Sequence, residues 1–128
     1  MTPLVSSYDA ALFDLDGVIY LGPNAIDGVA RSLAQLRERG IRLGFVTNNA
    51  ARTPVAVAEH LRELGIRADD SDVVNSTQAM VRMLHKELPT GAKLLVVGTD
   101  ALVSQLAEGG FVPVSTLEEN PVAVVQGY

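Results

Sequence analysis

The run Ala10-Ala11-Leu12-Phe13-Asp14-Leu15-Asp16-Gly17 constrains this chain more than any other stretch. An apolar segment of this length, ended at once by polar residues and glycine, predicts a buried strand over 10–15. Side chains two apart on an extended chain point the same way, so Asp14 and Asp16 share one small volume at the strand's carboxyl end. Open parallel α/β sheets bind their ligands at that end. Two ionised carboxylates held so close repel, and the pair requires either a cation between them or a retained proton. Mg²⁺ suits such a pair, because it takes one or two carboxylates and leaves the rest of its shell to water and phosphate. The plainer alternative is a solvated turn, with Gly17 supplying a positive φ after the strand.

A second apolar run, Leu43-Gly44-Phe45-Val46, ends in Thr47-Asn48-Asn49. It delivers a hydroxyl and two amides where the first run delivers two carboxylates. A neutral hydroxyl surrounded by backbone N–H groups is a good seat for a phosphate oxygen. Together the two strand ends offer a nucleophile, an acid/base, a metal seat and a phosphate seat.

Between and after these runs the pattern alternates. Gly17–Asn24, with the turn signal Gly22-Pro23-Asn24, is too short for a helix and predicts a small extended flap. Val29, Leu33 and Leu36 recur at helical spacing, giving a helix over 26–39 stopped by Gly40. A strand over 42–46 follows. Thr53 then serves as N-cap, with Pro54 at the first helical position, Val57, Leu61 and Leu64 on one face and Gly65 as the stop. Asp69-Asp70-Ser71-Asp72 reads as a solvated loop, since no further ligand follows at calcium-loop spacing. A short strand over 73–75 leads into a helix capped by Ser76 or Thr77 and running through Leu88, with Met80, Met83 and Leu84 as core filler. A strand over 93–97 passes through Gly98-Thr99-Asp100, an ordinary connection with Asp100 as cap, into a helix carrying Leu102, Val103 and Leu106. Strands over 111–115 and 122–126 complete the series. His60 and His85 fall on helices with no partner at ligand spacing, and read as surface or cap residues. This rhythm predicts an α/β fold with a doubly wound, mostly parallel sheet.

Composition narrows the class. The 128 residues suffice for one ordinary domain, and 48% hydrophobic content with mean hydropathy +0.22 describes a chain that folds. A net charge of −5 argues against a general nucleic-acid or anionic-membrane partner. Thiolate and disulfide chemistry are excluded, as there is no cysteine. No stretch approaches membrane-spanning length and the first residues lack a basic, apolar leader, so the expected location is the cytoplasm.

The motifs resemble those of a known family. Phe13-Asp14-Leu15-Asp16-Gly17-Val18 is similar to the first motif of haloacid dehalogenase superfamily phosphatases, and Phe45-Val46-Thr47-Asn48-Asn49 to their second. With Ile19-Tyr20 after the first motif, the Thr-Asn-Asn form is nearest the nitrophenylphosphatase or NagD-like branch. Looser similarity runs through Val73–Ser76 and Val96–Thr99 to Val124–Gly127. The resemblance implies a Rossmann-like hydrolase core begun by residues 1–75 and the first part of an α/β cap domain over 76–128. It also implies Mg²⁺-dependent hydrolysis of a small phosphate monoester through an aspartyl-phosphate. The ester could be a sugar phosphate, glycerol phosphate, phosphoglycolate, a nucleotide or nitrophenyl phosphate. Asp14 would be nucleophile and Asp16 acid/base, both with a metal role, while Gly17, Thr47, Asn48 and Asn49 would bind phosphate.

The family's third-motif lysine and fourth acidic motif have no counterpart here, where the only lysines are Lys86 and Lys93. The chain therefore reads as the N-terminal portion of a phosphatase, with turnover expected only when those groups are supplied. Alternatives are a non-catalytic fragment or interaction module, and a receiver-type phosphoacceptor domain. Uncovered apolar strands over 111–114 and 122–125 further suggest a homo-oligomer.

Overall fold

In the computed structural model, which describes residues 2–127, the chain separates into two compact units. The first comprises the chain up to Thr47 together with Pro54–Val74, and the second comprises Asn48–Thr53 and the chain from Asn75 on. In chain order the first unit contains β1 (Ala10–Phe13), a hairpin of β2 (Tyr20–Leu21) and β3 (Asn24–Ala25), α1 (Val29–Glu38), β4 (Arg42–Thr47) and α2 (Pro54–Glu63). β5 (Val73–Asn75) follows, then α3 (Ser76–Glu87), β6 (Lys93–Gly98), α4 (Asp100–Glu108), β7 (Val112–Val114) and β8 (Ala123–Gly127).

β1 and β4 are parallel, with Ala10 opposite Arg42 and Phe13 opposite Phe45, and the sheet order is β1-β4-β5. Parallel strands need a crossover, and α1 supplies it. Burial along β4 alternates, so Leu43, Phe45 and Thr47 face the core while Arg42 and Val46 face out. The core gathers Leu15, Ile19, Leu33, Phe45, Val57, Ala58, Leu61, Ile66 and Val73. Burying each of the larger side chains contributes about 1.5–3 kcal/mol, and this layer holds the carboxyl ends of β1 and β4 side by side. The opposite sheet face leaves Leu12 at 74% and Val46 at 43% exposure.

Several local expectations are corrected. The first strand ends at Phe13, not Leu15, because the carbonyl of Leu15 is taken up by the turn described below. α1 begins at Val29, not Ile26, since Ile26 to Gly28 form a turn in which the Val29 N–H donates to the Ile26 carbonyl at 3.2 Å. Asp69, Asp70 and Ser71 are exposed, as expected of a solvated segment, but residues 69–72 are ordered as a capped 3-10 turn: Asp72 accepts from the Asp69 N–H at 2.9 Å and pairs with Arg37 at 3.3 Å. Asp70 pairs with Arg62, which also donates to the Ala68 carbonyl. Tying a loop to two helices this way satisfies carbonyls more than it adds ion-pair energy, which at such exposure is about 0–1 kcal/mol. His60 is not a surface residue. Its side chain is 16% exposed, packs edge-on against Tyr20 with centroids 5.0 Å apart, and leaves Nε2 buried with no hydrogen-bond partner among the described residues.

The second unit has a parallel sheet of order β7-β6-β8, covered on one face by α3 and α4. Leu94, Leu102, Leu106, Phe111 and Val125 form its core, with Met80, Val81 and Leu84 packed against them. Met80 thus fills the core as expected, but Met83 is 66% exposed. Thr99, not Asp100, is the N-cap of α4. Val122 and Val124 are each 63% exposed, whereas Val114 and Val125 are buried. No helix among the described residues is long and apolar enough to cross a membrane.

Gly98 pairs with Gly127 in the β6·β8 register, and a Cβ on Gly98 would lie 2.5 Å from the Gly127 carbonyl oxygen. A Cβ on Gly44 would clash with the end of the exposed Leu12 side chain, at 2.6 Å, and stay in ordinary contact with the Asp72 carbonyl oxygen at 3.9 Å. Gly98→Ala should therefore cost about 1–3 kcal/mol by forcing backbone apart, and Gly44→Ala under about 1 kcal/mol because Leu12 can swing into solvent. Thermal unfolding followed by circular dichroism compares the two, and an equal or reversed order would show that β8 gives way freely.

Candidate active site

The first site element follows β1. Leu15 is fully buried, and its neighbours Asp14 and Asp16 are both exposed. The alternation that sends Leu15 into the core is what displays one carboxylate on either side of it. Backbone bonding then locks the display. The Leu15 carbonyl accepts from Val18 at 3.1 Å, Ile19 at 2.8 Å and Tyr20 at 3.3 Å, and the Gly17 N–H donates to the Tyr20 carbonyl at 2.8 Å. Gly17 sits at φ 79°, a conformation that side chains disfavour, so glycine is required for the chain to fold back here. Ile19 and Tyr20 return to the core at 2% and 6% exposure, which anchors the β2–β3 flap to the turn. Asp14 Oδ1 accepts from the Leu15 N–H at 2.8 Å, a contact that restrains its carboxylate.

Thr47 closes β4 and is 3% exposed. Since β1 and β4 are parallel and Phe13 lies opposite Phe45, Thr47 stands as far beyond that pair on β4 as Leu15 does on β1. Adjacent strands lie about 4.8 Å apart. The first unit thus brings Asp14, Asp16, Gly17 and Thr47 to one end of one sheet.

Asn48 and Asn49 leave β4 in the segment Asn48–Thr53, which packs with the second unit. There the Asn48 carbonyl accepts from Ser76 Oγ at 3.0 Å, and Asn49 Oδ1 accepts from the Ala51 N–H at 2.7 Å. The Asn49 side chain is thereby engaged in shaping its own turn.

Magnesium can be tested against this donor set. Among the described residues no group of three or more His, Cys, Asp or Glu could hold a metal. Two exposed carboxylates are nevertheless the complement Mg²⁺ ordinarily takes from a protein when water and phosphate oxygens complete its shell. The residues fit that ion. In the second unit Lys93 Nζ donates to the Glu119 carbonyl at 3.0 Å, and Lys86 lies exposed on α3.

Sequence reasoning missed Asn75. Ser76 or Thr77 was the expected cap of α3, but the cap is Asn75, whose Oδ1 accepts from the Gln78 N–H at 2.9 Å while Gln78 Oε1 accepts from the Asn75 N–H at 3.1 Å. The spacing Asn-x-x-Gln is the available signal, being a variant of the capping box.

A family model of haloacid dehalogenase-like hydrolases matches residues 11–112. The chain is 43% identical over 127 residues to a D-glycerol 3-phosphate phosphatase from Mycobacterium tuberculosis, covering 99% of this chain and 35% of that protein. It therefore spans about a third of the length of that relative. A crystal structure of glycerol phosphate phosphatase from Mycobacterium tuberculosis in complex with magnesium superposes with a TM-score of 0.91 at 43% identity, over 100% of this chain and 38% of that one. NagD from Escherichia coli superposes with a TM-score of 0.78 at 28% identity, over 94% of this chain and 46% of that one.

Leu15→Ala should cost about 2–5 kcal/mol through the cavity it leaves. The same change should speed hydrogen exchange at Val18, Ile19 and Tyr20, whose amides it currently receives. Unchanged exchange at those amides in a destabilised variant would show that the turn holds without its buried anchor.

Proposed function

Because the chain belongs to the haloacid dehalogenase-like hydrolases, of the nitrophenylphosphatase and NagD-like kind, we propose that it supplies the nucleophile, the acid/base and the phosphate seat of a Mg²⁺-dependent phosphatase. The proposed substrate is a small phosphate monoester, with glycerol phosphate first among the candidates on the strength of the mycobacterial relative. The observation that carries this reading is the pair of exposed carboxylates flanking fully buried Leu15, at the same sheet end as the Thr47 hydroxyl. The hydrolase match over residues 11–112 favours it over a receiver-type phosphoacceptor domain. Residues 1–75 would belong to the hydrolase core and 76–128 to the cap.

In the proposed reaction an Asp14 carboxylate oxygen attacks phosphorus and the bond to the ester oxygen breaks, which divides one difficult displacement into two easier ones. Asp16 gives its proton to the departing alkoxide. It then takes a proton from the water that attacks the aspartyl-phosphate, releasing inorganic phosphate and restoring Asp14. The Thr47 hydroxyl and the amides around Asn48 and Asn49 would hold the equatorial oxygens, where charge concentrates in a loose transition state, while the Gly17 N–H, which donates to the Tyr20 carbonyl, shapes the turn that carries the carboxylates. Mg²⁺, held by the Asp14 carboxylate and by Asp16, would offset the charge of the phosphoryl group when bound. The lysine and second acidic group that the family uses are not among these 128 residues. Turnover is accordingly assigned to the protein at its full encoded length, with only weak phosphate and Mg²⁺ binding by these residues alone.

Asp14→Asn, in the protein at full encoded length, should remove turnover to background while leaving the melting temperature unchanged, because Asp14 is exposed and its carboxylate accepts from the adjacent Leu15 N–H. Retained turnover would exclude Asp14 as nucleophile. Asp16→Asn should slow glycerol phosphate hydrolysis by about 10²–10⁴ and nitrophenyl phosphate hydrolysis less, since a phenolate leaves with little need of a proton. Equal losses on both esters would assign Asp16 a metal or structural role instead.

A further inference from the structure

Asn48–Thr53, the segment that follows Thr47, is held at both ends by two consecutive residues. Ser76 Oγ donates to the Asn48 carbonyl at 3.0 Å, and Asn75 Nδ2 donates to the Arg52 carbonyl at 3.0 Å. Asn75 is 1% exposed and its side chain is committed on every side. Its Nδ2 also donates to Gln105 Oε1 at 2.7 Å, its Oδ1 accepts from the Gln78 N–H, and Gln105, 7% exposed, passes its own Nε2 to the Ala101 carbonyl at 3.0 Å. Rotating such an amide would strand buried donors and acceptors. The α3 start is thereby fixed, and the Ser76 hydroxyl with it.

A trans peptide holds its C=O and N–H in one plane, pointing in opposite directions, and no peptide among the described residues is cis. Fixing the Asn48 carbonyl therefore also fixes the direction in which the same peptide presents the N–H of Asn49. We infer that Ser76 is a positioning residue for phosphate binding: through the Asn48 carbonyl it orients the Asn48–Asn49 peptide, with Asn75 and Gln105 as its buried anchor. The inference rests on the reading of Thr47–Asn49 as a phosphate seat. Asn48 is exposed, so water can replace the Ser76 hydroxyl at the carbonyl. Removing the hydroxyl should loosen the peptide without unfolding the chain.

The test measures binding of inorganic phosphate, with Mg²⁺ in excess, by calorimetry on the protein at full encoded length. Ser76→Ala, Ser76→Thr and Thr47→Val are compared with the unmodified protein. Ser76→Ala should weaken phosphate binding about threefold to tenfold, the worth of one lost neutral hydrogen bond. Its melting temperature should be unchanged, the Asn49 amide should exchange faster, and Ser76→Thr should restore both binding and exchange. Weakened binding in Thr47→Val with none in Ser76→Ala would overturn the positioning role alone. So would a loss in Ser76→Ala that Ser76→Thr fails to repair. Unaltered binding in Thr47→Val would instead overturn the phosphate seat, and the inference with it.

Discussion

Leu15 is the residue on which the first unit depends, through two interactions at once. Its side chain is fully enclosed by the core, while its carbonyl receives the amides of Val18, Ile19 and Tyr20. The enclosed side chain sets the depth of the strand end, and the carbonyl turns the chain back over it. Asp14 and Asp16 are thereby held toward water. Their mutual repulsion is moderated there by solvent, as it would not be inside the core. A fully buried apolar residue between two charged ones is a means of aiming both without burying either.

β4 solves a related problem with a different side chain. Leu43, Phe45 and Thr47 form its inward series, so the last inward position carries a hydroxyl where the pattern would admit valine. Thr47 keeps the shape of a core residue and adds one polar atom at the carboxyl end of the sheet's central strand. Parallel pairing with β1 then puts this hydroxyl at the same end as the carboxylates. In an open parallel sheet that end is also where helix starts and strand ends gather backbone donors. The chemistry proposed for the site uses this coincidence, and the core beneath it supplies the rigidity.

The segment after Thr47 shows how a polar network substitutes for packing where the chain is irregular. A loop cannot satisfy its own carbonyls as a helix does, so those of Asn48 and Arg52 are met by Ser76 and Asn75. Asn75 serves as cap, loop brace and partner of Gln105 simultaneously. Such a node has no apolar substitute, because its bond to Gln105 Oε1 is buried and its loss would leave that oxygen unpaired.

Much of this was legible in the chain itself. Apolar runs ended by Asp14-Leu15-Asp16-Gly17 and by Thr47-Asn48-Asn49 marked the two candidate strand ends, because strand periodicity and turn chemistry are local properties. The helix starting at Pro54 and the extended flap after Gly17 followed from the same local rules. Hydrogen bonds and packing between residues far apart in the chain were not legible. They made Asp69–Asp72 a turn held by Arg37 and Arg62, drew His60 in against Tyr20 and left Met83 in solvent. They also gave Asn75 its contacts with Arg52 and Gln105. Residue types and their spacing dictate which side chains a strand end can offer, since that depends on neighbours one and two positions away. Which carbonyl a buried amide meets depends on how separate elements pack, and only the folded chain decides it.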